Sequence, residues 1–202
     1  MAPDWLEAEL YRQRKVFVTG GFGFLGLNLV NSLHAGGAEV RVLDFAWPPG
    51  GRQVQSIQNH VQFCKGDLRD EHVTEEVVRG CEIIFNLAGK SGPAASNASP
   101  LDDLDVNARG QLILLETCRR VNPHVKIVFA SSRLVYKPTK SLPVSETAAI
   151  GPLSIYGIHK LTGEYYHLLY AHLYGMRATI LRITNPYGPF QRREQNRYGI
   201  IN

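Results

Sequence analysis

Short apolar runs alternate with longer amphipathic segments from Lys15 onward, and runs such as EIIFNLA and KIVFA are hydrophobic at nearly every position. Continuous apolar runs are typical of parallel strands that are covered on both faces. The strands are predicted at Lys15–Thr19, Glu39–Leu43, Val61–Cys64, Glu82–Leu87, Lys126–Ala130 and Arg177–Ile183, and the helices at Phe24–Ala35, Glu71–Arg79, Leu101–Val121 and Tyr156–Tyr174. This alternation predicts βαβ units and an α/β fold with a doubly wound parallel sheet.

The two ends of the chain depart from this alternation. Residues 1–14 are predicted to form an amphipathic lead-in helix, with Trp5, Leu6, Leu10 and Tyr11 on one side. Residues 185–202 are rich in turn formers and show no further pattern. We therefore expect a main domain over residues 15–184, followed by residues 185–202, where the chain ends in mid-architecture.

Composition and charge narrow the function classes. The 202 residues have a formal net charge of +4 with basic side chains scattered along the chain, which is weak evidence for nucleic-acid binding. We expect no membrane partner, because no apolar run approaches the roughly 18 residues of a spanning helix. The seven histidines show no metal-ligand spacing. The cysteines are three in number and lack paired spacing, which favours reduced thiols and a cytoplasmic location.

A glycine-rich turn follows the first predicted strand in VFVTGGFGFLG. Gly20, Gly23 and Gly26 suit a tight turn, close approach of a pyrophosphate and close packing of helix on strand. The free amides at Phe24 and Leu25 then face the phosphates from the helix N-terminus. Asp44 ends the second strand, where a carboxylate accepts both hydroxyls of an adenosine ribose and repels a 2′-phosphate. The pattern predicts a dinucleotide-binding Rossmann domain that prefers NAD to NADP.

A second constellation carries catalytic chemistry. Tyr156 and Lys160 in SIYGIHK are four residues apart, so they share one helix face. A neighbouring ammonium favours the phenolate of a tyrosine, which makes Tyr156 a candidate proton acceptor. Ser132 follows a later strand in FASSRLVY, where its hydroxyl could bond the same substrate oxygen.

Taken together, these motifs resemble the extended short-chain dehydrogenase/reductase family, the NAD-dependent epimerases and dehydratases of nucleotide sugars. The likeness covers about Lys15 to Gln191. It implies an NAD cofactor, a nucleotide-sugar substrate and a homodimer formed by the two long helices. It also assigns the remaining binding residues: Asp67 and Leu68 beside the adenine, Leu87, Ala88 and Gly89 along the cofactor, Asn107 in support of the active site, and Asn185 as the sugar-nucleotide contact.

Two departures from the family pattern bear on the reaction. By resemblance, the dehydratases carry an acidic pair directly after the catalytic Ser or Thr, where this chain has Arg133 and Leu134. Elimination therefore lacks its general acid, and the resemblance favours 4-epimerisation through a keto intermediate, as in a UDP-glucose 4-epimerase. A keto-sugar reductase or dehydrogenase using the same residues stays open. So does a noncatalytic dinucleotide-binding protein.

Overall fold

The computed structural model describes residues 8–48, 57–140 and 142–191, and these form a parallel α/β sandwich. The strands are β1 Lys15–Thr19, β2 Glu39–Asp44, β3 Val61–Lys65, β4 Ile83–Asn86, β5 Lys126–Ser132 and β6 Arg177–Ile183; the helices are α1 Ala8–Tyr11, α2 Phe24–Ala35, α3 Glu71–Val78, α4 Pro93–Ala98, α5 Pro100–Leu104, α6 Gly110–Val121 and α7 Ile155–Tyr174. The sheet order is β3-β2-β1-β4-β5-β6, with every neighbouring pair parallel. The predicted doubly wound Rossmann fold is confirmed.

Each face of the sheet carries its own apolar core. Val16 and Val18 of β1 point to one side and pack with buried residues of α2, whereas Phe17 points to the other side. On that second side, Ile84 of β4 joins the same cluster as Leu114 of α6. The alternation of side chains along a strand explains why both sets are buried and why the strands are apolar throughout.

The predicted helix Leu101–Val121 is interrupted, which corrects the sequence-based boundary. Pro100 starts the short helix α5, and a π-helical turn at Asp105–Arg109 separates it from α6. In this turn the amide of Gly110 donates to the carbonyl of Asp105, a bond that spans five residues. Such a turn inserts one extra residue and changes which side chains face inward, a feature that often marks functional sites.

The other boundaries differ by one or two residues. Strand β5 continues to Ser132, and β4 is shorter than predicted. In the described part of the lead-in helix, Tyr11 packs against Phe85, whereas Leu10 is exposed, so these two do not share an apolar face. Trp5 and Leu6 lie outside the described residues. Within the described ranges, none of the helices is both long and apolar enough to cross a bilayer.

Candidate active site

A cleft of about 520 Å³ opens at the carboxyl ends of β1 and β4. These strands flank the point where the sheet reverses its winding direction, and open α/β sheets bind ligands at this position. The lining contains nine of the residues predicted to contact a dinucleotide: Gly20, Gly23, Phe24, Asp44, Asp67, Leu68, Leu87, Ala88 and Gly89. The structure therefore gathers residues from four separate motifs around one cavity.

The glycine turn joins β1 to α2 in a conformation that larger residues would disturb. Gly20 has φ +64°, and a Cβ there would lie 2.9 Å from the Cα of Ala88. Gly26 lies in the first turn of α2 rather than in the lining of the cleft, and a Cβ on it would lie 2.3 Å from the carbonyl oxygen of Gly20. The N-terminus of α2 receives no side-chain cap, so its amides remain available to an anion in the cleft.

Asp44 is held in a fixed orientation at the end of β2. One carboxylate oxygen accepts from the amide of Phe22 at 2.9 Å, and the other accepts from the amide of Phe45 at 2.8 Å. Each carboxylate oxygen has a second lone-pair direction, so Asp44 can still accept hydroxyl groups from a ligand. Its negative charge disfavours a phosphate at the same place.

The part of the cleft that follows β3 carries a paired carboxylate. Asp67 accepts hydrogen bonds from the guanidinium of Arg69, which also binds Asp105 at 2.6 Å. The hydrogen bonds from Arg69 hold the pKa of Asp67 below its usual range. Asp67 and its neighbour Leu68 both line the cleft, and the charge of Asp67 is matched there by Arg69.

Ser132, Tyr156 and Lys160 lie where β5 meets the first turns of α7. Ser132 is the last residue of β5, and its Oγ accepts from the amide of Leu134 at 3.2 Å. Tyr156 is 9% exposed, and the ammonium of Lys160 lies 5.9 Å from the centre of its ring. Lys160 also donates to the carbonyl of Ala130, two residues before Ser132, at 2.9 Å. The helix and the strand therefore hold these three residues at one end of the sheet.

The ammonium of Lys160 is buried beside an unpaired acceptor. Burial lowers the pKa of Lys160 to about 8, while the carboxylate of Asp103 acts in the opposite direction. A Cβ placed on Gly89 would lie 2.6 Å from Oδ1 of Asn107 and 3.4 Å from Nζ of Lys160. Asn107 donates through Nδ2 to the carbonyl of Lys90, but within the described part of the chain its buried Oδ1 has no partner. This oxygen is a ready acceptor behind the wall of the cleft.

Several residues that anchor helix α7, which carries Tyr156 and Lys160, were not found from the sequence. The Oγ of Ser96 in α4 accepts from the amide of Tyr156 at 3.1 Å, and Asp103 in α5 lies 2.6 Å from Nδ1 of His159. Glu164, two turns after Tyr156, is 2% exposed and accepts from Arg182. The partners are separated by 18 to 60 residues, so no local spacing could have revealed them.

Glu164 extends this support to the end of β5. It accepts a hydrogen bond from the hydroxyl of Ser131 and three more from Arg182 on β6. The guanidinium of Arg182 in turn lies 4.7 Å from the ring centre of Tyr136. This ion pair, whose carboxylate is buried, and the hydrogen bond from Ser131 tie α7, β5 and β6 together directly beside Ser132.

Asn185, the predicted sugar-nucleotide contact, follows β6 and is exposed. Its Oδ1 accepts from Nε of Arg133 at 3.1 Å. Because Arg133 directly follows Ser132, Asn185 is linked to the strand end that carries the candidate catalytic serine.

Comparisons with known proteins agree with this arrangement. The sequence profile of the NAD dependent epimerase/dehydratase family matches residues 16–202. A putative UDP-glucose 4-epimerase of Methanocaldococcus jannaschii is 36% identical over 178 residues, which are 87% of this chain and 57% of the relative. UDP-glucuronate 4-epimerase 3 of Arabidopsis thaliana is 31% identical over 88% of this chain and 43% of its own length.

Solved structures show the same similarity. A UDP-N-acetylglucosamine 4-epimerase from Methanobrevibacter ruminantium, in complex with UDP-N-acetylmuramic acid, has a TM-score of 0.85 at 28% identity and covers 94% of this chain and 60% of its own. The UDP-glucose 4-epimerase of Thermus thermophilus in complex with NAD has a TM-score of 0.79 at 34% identity over 88% of this chain and 57% of its own. The chain thus spans 43% to 60% of the length of these relatives. It belongs to the NAD dependent epimerase/dehydratase family.

Proposed function

We propose that this chain binds NAD and carries the catalytic residues of a nucleotide-sugar 4-epimerase. The observation that carries the proposal is that two sites adjoin at Gly89, which lines the cleft and on which a Cβ would lie 3.4 Å from Nζ of Lys160. The cleft behind Gly20 and Asp44 suits a dinucleotide, and the cluster of Ser132, Tyr156 and Lys160 suits proton transfer at a hydroxyl. Residues 15–184 are the NAD-binding domain in this proposal, and residues 185–202 begin the substrate region.

The residues of the cleft fit NAD. The uncapped N-terminus of α2 offers amides to the pyrophosphate, and Asp44 keeps acceptor capacity for the adenosine ribose. The buried, unpartnered Oδ1 of Asn107 and the adjacent ammonium of Lys160 form a polar patch behind Gly89. When bound, NAD supplies the hydride acceptor and donor of the reaction.

The protein's own residues supply the proton chemistry. Tyr156 takes the proton of the sugar hydroxyl and later returns it, because the nearby positive charge of Lys160 favours its phenolate. Ser132 binds the same sugar oxygen through its hydroxyl and keeps it in reach of Tyr156. Burial lowers the pKa of Lys160 to about 8, so the ammonium is still mostly charged at pH 7 and can perform this role.

The relatives support a uridine nucleotide as substrate. Those reported above are named as 4-epimerases of UDP-glucose, UDP-glucuronate or UDP-N-acetylglucosamine, and one of the solved structures contains NAD. Calorimetry should show that the chain binds NAD, and magnetic resonance on the full-length protein should show conversion of UDP-glucose to UDP-galactose without net NADH. Accumulation of NADH would instead favour a one-way dehydrogenase.

Tyr156→Phe is the matched variant for this experiment. It keeps the ring and the packing but removes the oxygen that moves the proton, so it should bind NAD like the parent chain and lose most turnover. If the parent chain fails to bind NAD, the proposal is wrong. If Tyr156→Phe turns over at the parent rate, the assignment of the proton acceptor is wrong.

We also propose that the chain forms a homodimer in the cytoplasm. Helix α7 exposes a stripe of large apolar side chains, each 46% to 58% accessible: Ile158, Tyr165, Leu168, Leu169 and Leu173. A contiguous exposed apolar surface indicates an interface, and the family resemblance assigns a partner copy to this helix. The free thiols of Cys64, Cys81 and Cys118 support a reducing compartment. Sedimentation should show a dimer that Leu169→Glu converts to a monomer.

A further inference from the structure

Arg133 occupies a position that the proposed reaction does not use. It directly follows Ser132, opens the 3₁₀ turn Arg133–Val135 and is exposed. Its Nε donates to Oδ1 of Asn185 at 3.1 Å. This hydrogen bond joins the residues that follow β5 and β6 and fixes the plane of the guanidinium at the carboxyl edge of the sheet, beside the candidate catalytic serine.

The charge of Arg133 is not matched by an acidic side chain in the described ranges. Arg182, on the neighbouring strand, differs in this respect because it is paired with the buried carboxylate of Glu164. Both positions after Ser132 lack a carboxylate, since they hold Arg133 and Leu134. With Nε engaged by Asn185, the two Nη groups of Arg133 still present donors in a fork that suits a carboxylate.

The place of this charge relative to the sugar ring follows from the proposed function, on which this inference rests. Ser132 binds the hydroxyl on C4 of the hexose, and the C6 substituent is attached to C5, the neighbour of C4. The nucleotide diphosphate is attached to C1, on the opposite side of the ring. A cation one residue after Ser132 can therefore reach the C6 substituent, whereas the diphosphate is attached across the ring from C4.

We propose that Arg133 recognises a carboxylate at C6, so that the preferred substrates are nucleotide-diphosphate hexuronic acids rather than neutral hexoses. A neutral hexose presents a hydroxymethyl group at C6 and gains only an ordinary hydrogen bond from the guanidinium. A hexuronic acid presents a carboxylate, and a charge-assisted, two-pronged contact is substantially stronger. Asn185 acts here as a positioning residue, because it holds the guanidinium through Nε.

Calorimetry on the NAD-loaded chain with three probes tests this specificity. The probes are UDP-glucuronic acid, UDP-glucose and UDP, of which the first two differ only at C6. The parent chain should bind UDP-glucuronic acid about tenfold or more tightly than UDP-glucose, as expected for a charge-assisted hydrogen bond. Arg133→Gln should remove this difference and change the affinities for UDP-glucose and UDP less than about twofold. Arg133→Lys should retain part of the preference, because it keeps the charge but not the fork.

Lys126→Gln is the matched control. It removes one positive charge from the opposite end of the same strand, where the side chain is exposed, so it should leave the preference for the uronic acid unchanged. Equal binding of both sugars by the parent chain would overturn the inference and leave the proposed function standing. Equal weakening of all three probes by Arg133→Gln would assign the guanidinium to the diphosphate instead. Absence of binding by any probe would contradict the sugar-nucleotide site itself.

Discussion

Replacing Lys160 with methionine should show how far the buried ammonium of this residue lowers the free energy of unfolding of the chain. The pKa of Lys160 is lowered from 10.5 to about 8, chiefly by burial. A group that is harder to protonate in the folded chain than in the unfolded chain opposes folding while it is charged. Methionine has similar length and no charge, so Lys160→Met removes this opposition.

The magnitude follows from the two pKa values. Below about pH 8 both states carry the proton, and the difference opposes folding by about 3 kcal/mol. As the pH rises above 8, the folded chain loses the proton first, and at pH 9 the opposition has fallen to about 2 kcal/mol. The variant also loses the hydrogen bond to the carbonyl of Ala130, which costs about 1 to 3 kcal/mol and does not depend on pH.

Urea unfolding at pH 7 and pH 9 measures the balance. At pH 7 the variant should be as stable as the parent chain or up to about 2 kcal/mol more stable, and this advantage should fall by about 1 kcal/mol at pH 9. Lys126 is exposed, so Lys126→Met should show no such pH dependence. Each variant is compared with the parent chain at the same pH, which cancels the titration of all other groups. A difference between Lys160→Met and the parent that is the same at both pH values would refute a buried, charged Lys160.

Three further substitutions test the supports of the site. Glu164→Ala should destabilise the fold by about 1 to 3 kcal/mol in urea unfolding, because the hydroxyl of Ser131 and the guanidinium of Arg182 lose their acceptor; a loss below about 0.5 kcal/mol would mean that solvent replaces these hydrogen bonds. Asp44→Asn should narrow the preference for NAD over NADP measured by calorimetry, and a parent chain that binds both equally would contradict the role of this carboxylate. Gly26→Ala should weaken NAD binding at least about tenfold, because its Cβ would displace the carbonyl of Gly20 and open the turn; unchanged binding would show that the turn tolerates the movement.

The sheet could be predicted from the sequence because each of its strands is a local signal. Phe17 in β1 and Ile84 in β4 are fully buried, as their apolar runs indicate, and the parallel order follows from the intervening helices. The glycine turn was equally visible, since Gly20 and Gly26 act within one strand–turn–helix unit. In both cases the residues that determine the structure are close together in the chain.

The supports of the site could not be predicted, because they join distant residues. Asp103 and His159 are 56 residues apart, and no local sequence motif predicts that they are in contact. The π-helical turn at Asp105–Arg109 was hidden for a different reason. Its residues continue an apparently helical pattern, and intrinsic propensities do not distinguish an α-helical from a π-helical turn.

Helix α7 shows why a correct helix prediction can still assign the wrong environment to its residues. Periodicity places apolar side chains inside and polar ones outside, but α7 buries Lys160, Glu164 and His167 while it exposes Leu168 and others of its apolar stripe. The inner face is polar because it carries the ammonium beside the cleft and the carboxylate that ties the helix to β5 and β6.

This inversion links the proposed catalysis to the proposed assembly. A helix that buries charges gains less stability from the hydrophobic effect than an ordinary core helix. Its ion pairs and its outer apolar face must therefore contribute more of the free energy that holds the helix in place. Docking of a second copy on that outer face would bury the apolar stripe and hold the same helix that positions Tyr156 and Lys160. Leu169→Glu, which breaks the dimer, should therefore also lower the urea midpoint of the chain. If the monomeric variant keeps the parent midpoint, then α7 is stabilised by the pairs of its inner face alone.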